Sequence, residues 1–284
     1  MDLATDRAAL IVAHPGHELR VHGWLEQAKP AVFVLTDGSG RTARSRIEST
    51  IKVLAATGAK PADIFGRFTD VAVYKMIRGA DVVPLLHLMR ELANWLRQLG
   101  VDYVVGDALE GFNPSHDLCR FLINGAVSLI EKETGREIGN FDVLLDGSPE
   151  VCPRALRPLA IRLDLDERAL RRKLASANAY SELSGETDSA LKRFGPQAFS
   201  TELLRPVLDR RQGLDRMEPD PPDYERFGEE RVRAGLYDNV IRYRADVRPL
   251  VNALWHGAGL VATDDAPTSM SAPPMSCGER LQGA

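Results

Sequence analysis

The chain has 284 residues, of which 44% are hydrophobic and 27% charged, as in an ordinary globular protein. Its net charge of −4 argues against binding to nucleic acid, which needs a clustered positive surface. Three scattered cysteines without a CxxC pair predict neither disulfides nor a thiolate metal site, and favour a reducing, cytoplasmic location. The sequence contains no run of 18 apolar residues and no signal-peptide pattern at its first residues, so we expect no membrane span.

Short apolar runs alternate along the chain with stretches of helical periodicity. The first run, 8–13, ends at a His-Pro-Gly sequence, which is typical of a buried parallel strand entering a loop. The other predicted strands are 31–35, 101–106, 141–145 and 159–165. The predicted helices are 44–57, 83–99, 116–133, 166–180 and 247–255, with another near Arg231. This alternation predicts an α/β fold, namely a Rossmann-like, doubly wound, mostly parallel sheet with helices on both faces.

One α/β domain is predicted over residues 1–262. Within it, 181–222 are rich in Ser, Gly, Pro and Asp and are interpreted as a long excursion or lid. Residues 263–284 have the composition of a disordered tail. The first strand is followed by no glycine-rich phosphate-binding pattern, and the chain has no Gly-x-Ser-x-Gly elbow. These observations argue against a nucleotide cofactor and against serine-hydrolase chemistry.

Two segments carry histidines immediately after predicted strands. The first, 14–18, reads His-Pro-Gly-His-Glu, and the second, 113–117, reads Asn-Pro-Ser-His-Asp. Taken singly, each has a plain explanation: a polar loop with unrelated histidines, or a helix cap with a bystander histidine. Together they place three of the six histidines at one edge of a parallel sheet, where ligands bind. The sequence therefore predicts one zinc ion with an open position, held by His14, His17 and His116.

The same segments resemble the motifs of a known family. Residues 11–18, with Gly23 five residues further on, resemble the Ala-His-Pro-Asp-Asp-Glu motif of the PIG-L/LmbE family of zinc-dependent N-deacetylases. Residues 113–116 resemble the second motif, His-Pro-Asp-His, and 36–38 resemble the family's Thr-Asp/Asn-Gly turn. The resemblance covers 8–132 and more faintly 224–249. It implies a metal-dependent hydrolase that deacylates a small acylated amine, such as an acylated sugar, with a metal-activated water.

The family's metal ligands carry over position by position. His14 matches the first ligand and His116 the last, while His17 stands where the family has an aspartate ligand. Replacing a carboxylate with a neutral imidazole leaves the full charge of the metal on the site. A bound water is then expected to have a pKa of about 7, as in three-histidine zinc hydrolases.

The family's acid/base residues do not carry over. Gly16 stands where the family has its general-base aspartate, and loss of such a base costs about 10²–10⁴-fold in rate. Nearby carboxylates that could replace it are Glu18, Asp37, Glu110 and Asp117. Glu18 and Asp37 come first because both are expected at the sheet's ligand edge, and with Asp117 they are the catalytic candidates. Each has a structural alternative: Glu18 orients a ligand or caps a helix, Asp37 turns the chain, and Asp117 favours a helix N-terminus.

Substrate-binding residues are predicted around the same edge. Asn113 replaces a family histidine near the reacting carbonyl, and Glu110 lies in the same loop. Arg44 and Arg46 follow the Thr-Asp-Gly turn and could clamp an anionic or sugar substrate, although a solvated first helical turn explains them as well.

Two other functions remain open from the sequence. One is a non-catalytic or repurposed member of the fold that binds metal, a ligand or a partner; the loss of the aspartate at position 16 favours it. The other is a different metal reaction, with iron or another ion held by the three histidines. A homo-oligomer is compatible with the sequence, which does not define the oligomeric state.

Overall fold

The computed structural model describes residues 2–3, 5–40, 44–209 and 221–260. Its centre is a seven-stranded sheet with the strand order β3-β2-β1-β4-β5-β7-β6. The strands are β1 Ala8–Val12, β2 Ala31–Thr36, β3 Lys60–Phe68, β4 Tyr103–Asp107, β5 Gly139–Val143, β6 Ile161–Asp164 and β7 Thr201–Pro206. Strands β1 to β5 pair in parallel, whereas β7 is antiparallel to both β5 and β6. The predicted α/β class with a mostly parallel sheet is confirmed.

Helices cover both faces of the sheet. They are α1 His22–Ala28, α2 Ile47–Thr57, α3 Asp70–Arg78, α4 Val82–Gln98, α5 Pro114–Thr134, α6 Glu167–Ala179, α7 Ser184–Phe194, α8 Asp223–Arg233 and α9 Arg248–Gly257. Alternate residues of β1 pack on opposite faces of the sheet because successive side chains of a strand point in opposite directions. Ile11 packs in the core with α4, α5 and α9, and Leu10 in the core with α1 and α2. Both faces of the sheet are therefore buried, as a doubly wound parallel sheet requires.

The predicted elements are confirmed with small shifts, and several others were not predicted. Helix α2 begins at residue 47 rather than 44, and α5 begins at 114 rather than 116. The sequence analysis missed α1, β3 and α3. It also interpreted 181–222 as an excursion, whereas this stretch contains α7 and β7, the latter paired in the sheet. The tail 263–284 and residues 210–220 lie outside the described residues, and the division into one domain and a tail stays a prediction.

Among the described residues, no helix is long and apolar enough to cross a membrane. In this same part of the chain, Cys119 and Cys152 are free and buried.

Candidate functional site

The site lies at the carboxyl ends of three parallel strands, β1, β2 and β4. His14 follows β1 by two residues, and His17 begins the short 3-10 helix His17–Val21. His116 lies in the first turn of α5, which follows β4. Because β1 and β4 are neighbours in the sheet, the loops that follow them meet at one edge.

The three imidazole rings come together at this edge. The ring centroid of His14 lies 5.3 Å from that of His17 and 5.0 Å from that of His116. The centroids of His17 and His116 are 4.5 Å apart. The convergence predicted from the two sequence segments is therefore present in the fold.

The ring of His14 is held by partners on two other elements. Its Nδ1 lies 2.7 Å from Oγ1 of Thr36, the last residue of β2, and 2.9 Å from Oδ1 of Asp70, the first residue of α3. The other oxygen of Asp70 accepts a hydrogen bond from the backbone N–H of Gly40 at 2.5 Å. Burial raises the pKa of Asp70, but its contacts with His14, Thr36 and Gly40 outweigh burial and lower it below its usual range. This carboxylate thus joins three loops of the site.

The ring of His17 is held by Asp107, the last residue of β4. Both carboxylate oxygens of Asp107 lie 3.0 Å from Nδ1 of His17. One of them also accepts a hydrogen bond from the backbone N–H of Ala13 at 2.8 Å. Because the side chain of Asp107 is completely buried, it orients the ring through Nδ1 and leaves Nε2 as the nitrogen of His17 that could coordinate a metal.

The third ring differs from the other two in its surroundings. Nδ1 of His116 is buried and has no hydrogen-bond partner among the described residues. Burial, and then the neighbouring rings of His17 and His14, hold the pKa of His116 well below its usual value. Burial also lowers the pKa of His17, against the opposing effect of Asp107. A buried, unpartnered ring nitrogen costs free energy unless a ligand or a water satisfies it.

These residues offer the donor chemistry of a zinc site. Zinc–nitrogen bonds of about 2.0–2.1 Å in a tetrahedral site place imidazole centroids roughly 5 Å apart, close to the separations found here. Ligating histidines usually give their second ring nitrogen to a carboxylate, as His14 and His17 do. As the side chains stand, however, no three His, Cys, Asp or Glu residues in the described ranges are arranged to hold an ion together.

Gly16 and Glu18 stand on either side of His17 in the chain. Oε2 of Glu18 accepts a hydrogen bond of 2.7 Å from the backbone N–H of Gly16. Glu18 is completely buried, and burial raises the pKa of its carboxyl group to about 7. Gly16 has a φ of 106°, a backbone conformation that favours glycine. Position 16 therefore carries no side chain, and its backbone amide binds the neighbouring carboxylate.

The turn after β2 contributes Asp37 and Arg46. Oδ1 of Asp37 accepts hydrogen bonds from the backbone N–H and the hydroxyl of Ser39, at 3.0 and 2.6 Å, so this carboxylate stabilises its own turn. Arg46 is half-buried and close enough to His17 for its charge to lower the pKa of that ring. Arg44 is exposed. Arg41, which belongs to the same basic run, lies outside the described residues.

The loop before α5 is held by its own polar side chains. Asn113 caps the helix, with Oδ1 accepting from the backbone N–H of Ser115 at 2.8 Å and from the Tyr74 hydroxyl at 3.3 Å. Asp117 accepts from the backbone N–H groups of Glu110 and Gly111 at 3.3 and 3.2 Å. Its pKa is raised to about 8 by burial.

Glu110 binds the backbone of the loop that follows β5. Its carboxylate accepts hydrogen bonds from three successive backbone N–H groups after β5, the shortest being 2.7 Å to Leu145. Burial raises the pKa of Glu110 despite these bonds. In this arrangement Glu110 and Asp117 shape loops around the histidine cluster, and their predicted roles in substrate binding and catalysis stay predictions.

Sequence reasoning missed the two carboxylates that orient the rings. A partial signal existed for Asp107, an acidic residue at the end of a predicted apolar strand at the ligand edge. No comparable signal existed for Asp70, because helix α3 was not predicted. Thr36 was noted only as part of a turn motif.

Comparisons with known proteins add a fold but no family. No family model matches the chain, and no curated protein matches it significantly. Among solved structures, it is similar to the A40926 pseudoaglycone deacetylase Dbv21, with a TM-score of 0.50 and 20% identity over 71% of this chain and 97% of that one. A zinc-inhibited form of teicoplanin deacetylase Orf2 gives 0.49 and 13% over 71% and 98% of the two chains. The conserved protein TT1542 from Thermus thermophilus gives 0.48 and 18% over 72% and 97%. At such identities the likeness establishes the fold alone.

Proposed function

We propose that this protein is a metal-dependent hydrolase that removes an acyl group from the amine of a small molecule, such as an acylated amino sugar. The observation that carries the proposal is the convergence of His14, His17 and His116, with Asp70 and Asp107 on the outer nitrogens of two rings. The motif resemblance to the PIG-L/LmbE family and the fold shared with a pseudoaglycone deacetylase support the type of reaction.

One zinc ion is the proposed cofactor, with His14, His17 and His116 as its ligands. When bound, such an ion supplies a Lewis acid and an acidified water to an amide carbonyl. The chain's own part is to present neutral ring nitrogens at one point, which Asp70 and Asp107 do by fixing two rings through Nδ1. Binding also requires the rings to turn toward a common centre, because the three are not arranged to hold an ion together as the side chains stand.

The two aspartates also change the electrostatics expected of a three-histidine site. Neutral imidazoles alone leave the charge of a divalent ion uncompensated. Asp70 and Asp107, however, each place a carboxylate on the Nδ1 atom of a proposed ligand ring. Such outer carboxylates raise the basicity of the ligands. The site therefore resembles a carboxylate-supported centre more than the bare three-imidazole set considered from sequence.

The proton acceptor is proposed among Glu18, Asp37 and Asp117. We place Glu18 first on geometry, because it follows a proposed ligand directly and is anchored at the Gly16 amide. The carboxylate of Asp37 is engaged by Ser39 and that of Asp117 by the loop backbone. Arg46, Arg44, Asn113 and Glu110 are proposed to contact the substrate.

A second function, ligand binding without turnover, is favoured by one observation. The residue where the family has its general base is Gly16, and its conformation at φ 106° resists replacement by other residues. A protein that has lost this acid would still bind an acylated amine at the histidine cluster.

Acetate release from N-acetylglucosamine and other N-acetyl amines tests the two functions. We expect release by the wild type to stop after chelation, to return with added zinc, and to be lost in His116→Ala. His256→Ala, which changes an exposed histidine on α9, serves as the matched control and should stay active. Binding of these amines without any acetate release would favour the second function and contradict the first.

A further inference from the structure

The space beside Gly16 is filled by a residue from a distant part of the chain. A Cβ atom placed on Gly16 would lie 2.2 Å from Cδ1 and 3.5 Å from Cγ of Leu183, and 3.6 Å from Cζ of Tyr180. A separation of 2.2 Å is far below van der Waals contact, so Leu183 occupies the room that any side chain at position 16 would need.

The segment that carries Leu183 is firmly attached to the fold. Leu183 is the last residue of the short 3-10 helix Ser181–Leu183, which begins directly after Tyr180. The Tyr180 hydroxyl lies 2.9 Å from Oγ1 of Thr50 and donates to the backbone oxygen of Arg46 at 3.1 Å. Because Tyr180 is almost completely buried, this turn is fixed against the start of α2.

A third contact strengthens the same attachment. The hydroxyl of Ser49 on α2 donates to the carboxylate of Glu182 at 3.0 Å. The position of Leu183 beside Gly16 is thus set by the tyrosine and glutamate side chains that precede it in the turn. Leu183 itself is half-buried and packs at the margin of the core that contains Leu10.

We propose that Leu183 is a specificity-determining residue of the histidine site. It replaces a side chain at position 16 with an apolar surface, so the part of a bound molecule on that side must be small and apolar. This assignment rests on the proposed function for the identity of the ligand, an N-acylated amine, whose acyl group is the apolar part that meets Leu183. Removing the isobutyl group opens space there for a longer acyl chain.

The contact itself is tested by a double-mutant cycle in urea unfolding. Gly16→Ala destabilises the wild type through both backbone strain and the clash, but in a Leu183→Ala background only the strain remains. We expect the loss in the unfolding equilibrium constant to be about tenfold smaller in that background. Gly135→Ala is the matched control, since Gly135 also has a positive φ but nothing within 4 Å of its Cβ position. Its effect should be the same in both backgrounds.

The specificity is tested by binding, measured by calorimetry with N-acetylglucosamine and N-butanoylglucosamine on zinc-supplemented protein. Leu183→Ala should shift the preference toward the butanoyl probe by about tenfold or more relative to wild type, since each methylene is worth about 10–200-fold in a fitted pocket. Leu236→Ala, at an exposed leucine, should leave the preference unchanged.

Each result decides between separate claims. Equal losses for Gly16→Ala in both backgrounds, an unchanged preference in Leu183→Ala, or no binding of either probe to either protein would overturn the role of Leu183. Binding with the predicted shift but without acetate release would support Leu183 and reject the hydrolase.

Discussion

Asp107 holds the ring of His17 through both of its carboxylate oxygens, each 3.0 Å from Nδ1 of the ring. The pair joins the end of β4 to the loop after β1, the two neighbouring strands of the sheet. Since Asp107 also accepts the backbone N–H of Ala13, the same carboxylate fixes both the strand end and the ring. The orientation of His17 is therefore part of the sheet's own hydrogen bonding.

The first prediction concerns this pair. Asp107→Asn keeps the size of the side chain but removes the charge that orients His17, so zinc affinity should fall about 10–100-fold. Affinity is measured by competition with a chromophoric chelator. Asp102→Asn just before β4, whose carboxylate binds Arg7 and Arg136 away from the site, is the control. Equal zinc affinities for wild type and Asp107→Asn would show that the carboxylate has no such role.

The second prediction concerns the shared hold on His14. Nδ1 of this ring lies close to both Thr36 and Asp70, so either partner can orient the ring in part when the other is removed. Thr36→Val and Asp70→Asn should each weaken zinc binding less than the double variant does, and the loss in the double variant should exceed the sum of the two. Asp81→Asn, just before α4 and without a capping hydrogen bond, is the control. Strict additivity in the same titration would contradict a shared role.

The third prediction concerns stabilisation by the metal. A ligand that binds only the folded state adds about 2.7 kcal/mol at a hundredfold excess over its dissociation constant. Zinc should therefore raise the melting temperature of the wild type, and a chelator should reverse the rise. His17→Ala should lose the response, while the exposed His87→Ala keeps it. A zinc-induced rise that persists in His17→Ala would place the ion elsewhere.

The fourth prediction concerns a buried ion pair that contacts the 3-10 helix beginning at His17. Nζ of Lys173 on α6 lies 2.9 Å from Oε1 of Glu202 on β7, and both side chains are almost fully buried. The same ammonium donates to the backbone oxygen of Arg20, which follows the proposed ligands in the 3-10 helix His17–Val21. Removing one charge leaves the other buried without its counter-ion, so Lys173→Met should cost about 3–5 kcal/mol of the free energy of unfolding.

Two further variants check that this cost comes from the stranded charge. Lys173→Met combined with Glu202→Gln should recover part of the loss, because the unpaired charge is gone, although the Gln amide nitrogen then faces one of the backbone N–H groups of Gly23 and Trp24 that Glu202 accepts. Arg171→Met, which breaks an exposed pair on α6, should change stability by less than about 1 kcal/mol. Urea unfolding gives all three values. If the double variant is no more stable than Lys173→Met, the cost arises from lost packing.

The sequence was sufficient to predict the central strands of the sheet and the placement of the three rings at its edge. Buried strands such as β1 and β4 read as continuous apolar runs, and the rule that parallel strands present their carboxyl ends at one edge brought His14, His17 and His116 together. The antiparallel strand β7 was missed because its sequence, Thr-Glu-Leu-Leu-Arg-Pro, contains only two strongly apolar residues and lies in a stretch rich in turn-forming residues.

The residues that pack against the predicted site residues, such as Asp70 and Leu183, could not be predicted in the same way. Strand β3 contains Pro61 and is largely exposed at the sheet's edge, so it lacks the apolar run of the central strands. Without β3, helix α3 and its first residue Asp70 had no place in the predicted fold. Leu183 is far from Gly16 along the chain, and no local pattern reports a contact that only tertiary packing creates.

The most direct test of the account is the zinc content of protein purified without chelator and re-equilibrated with zinc. We predict about one ion per chain for the wild type and loss of that ion in His14→Ala, His17→Ala and His116→Ala alike, with full content in His256→Ala. A wild type that stays metal-free, or a His116→Ala variant that still holds one ion per chain, would contradict the claim that the three rings form one metal centre.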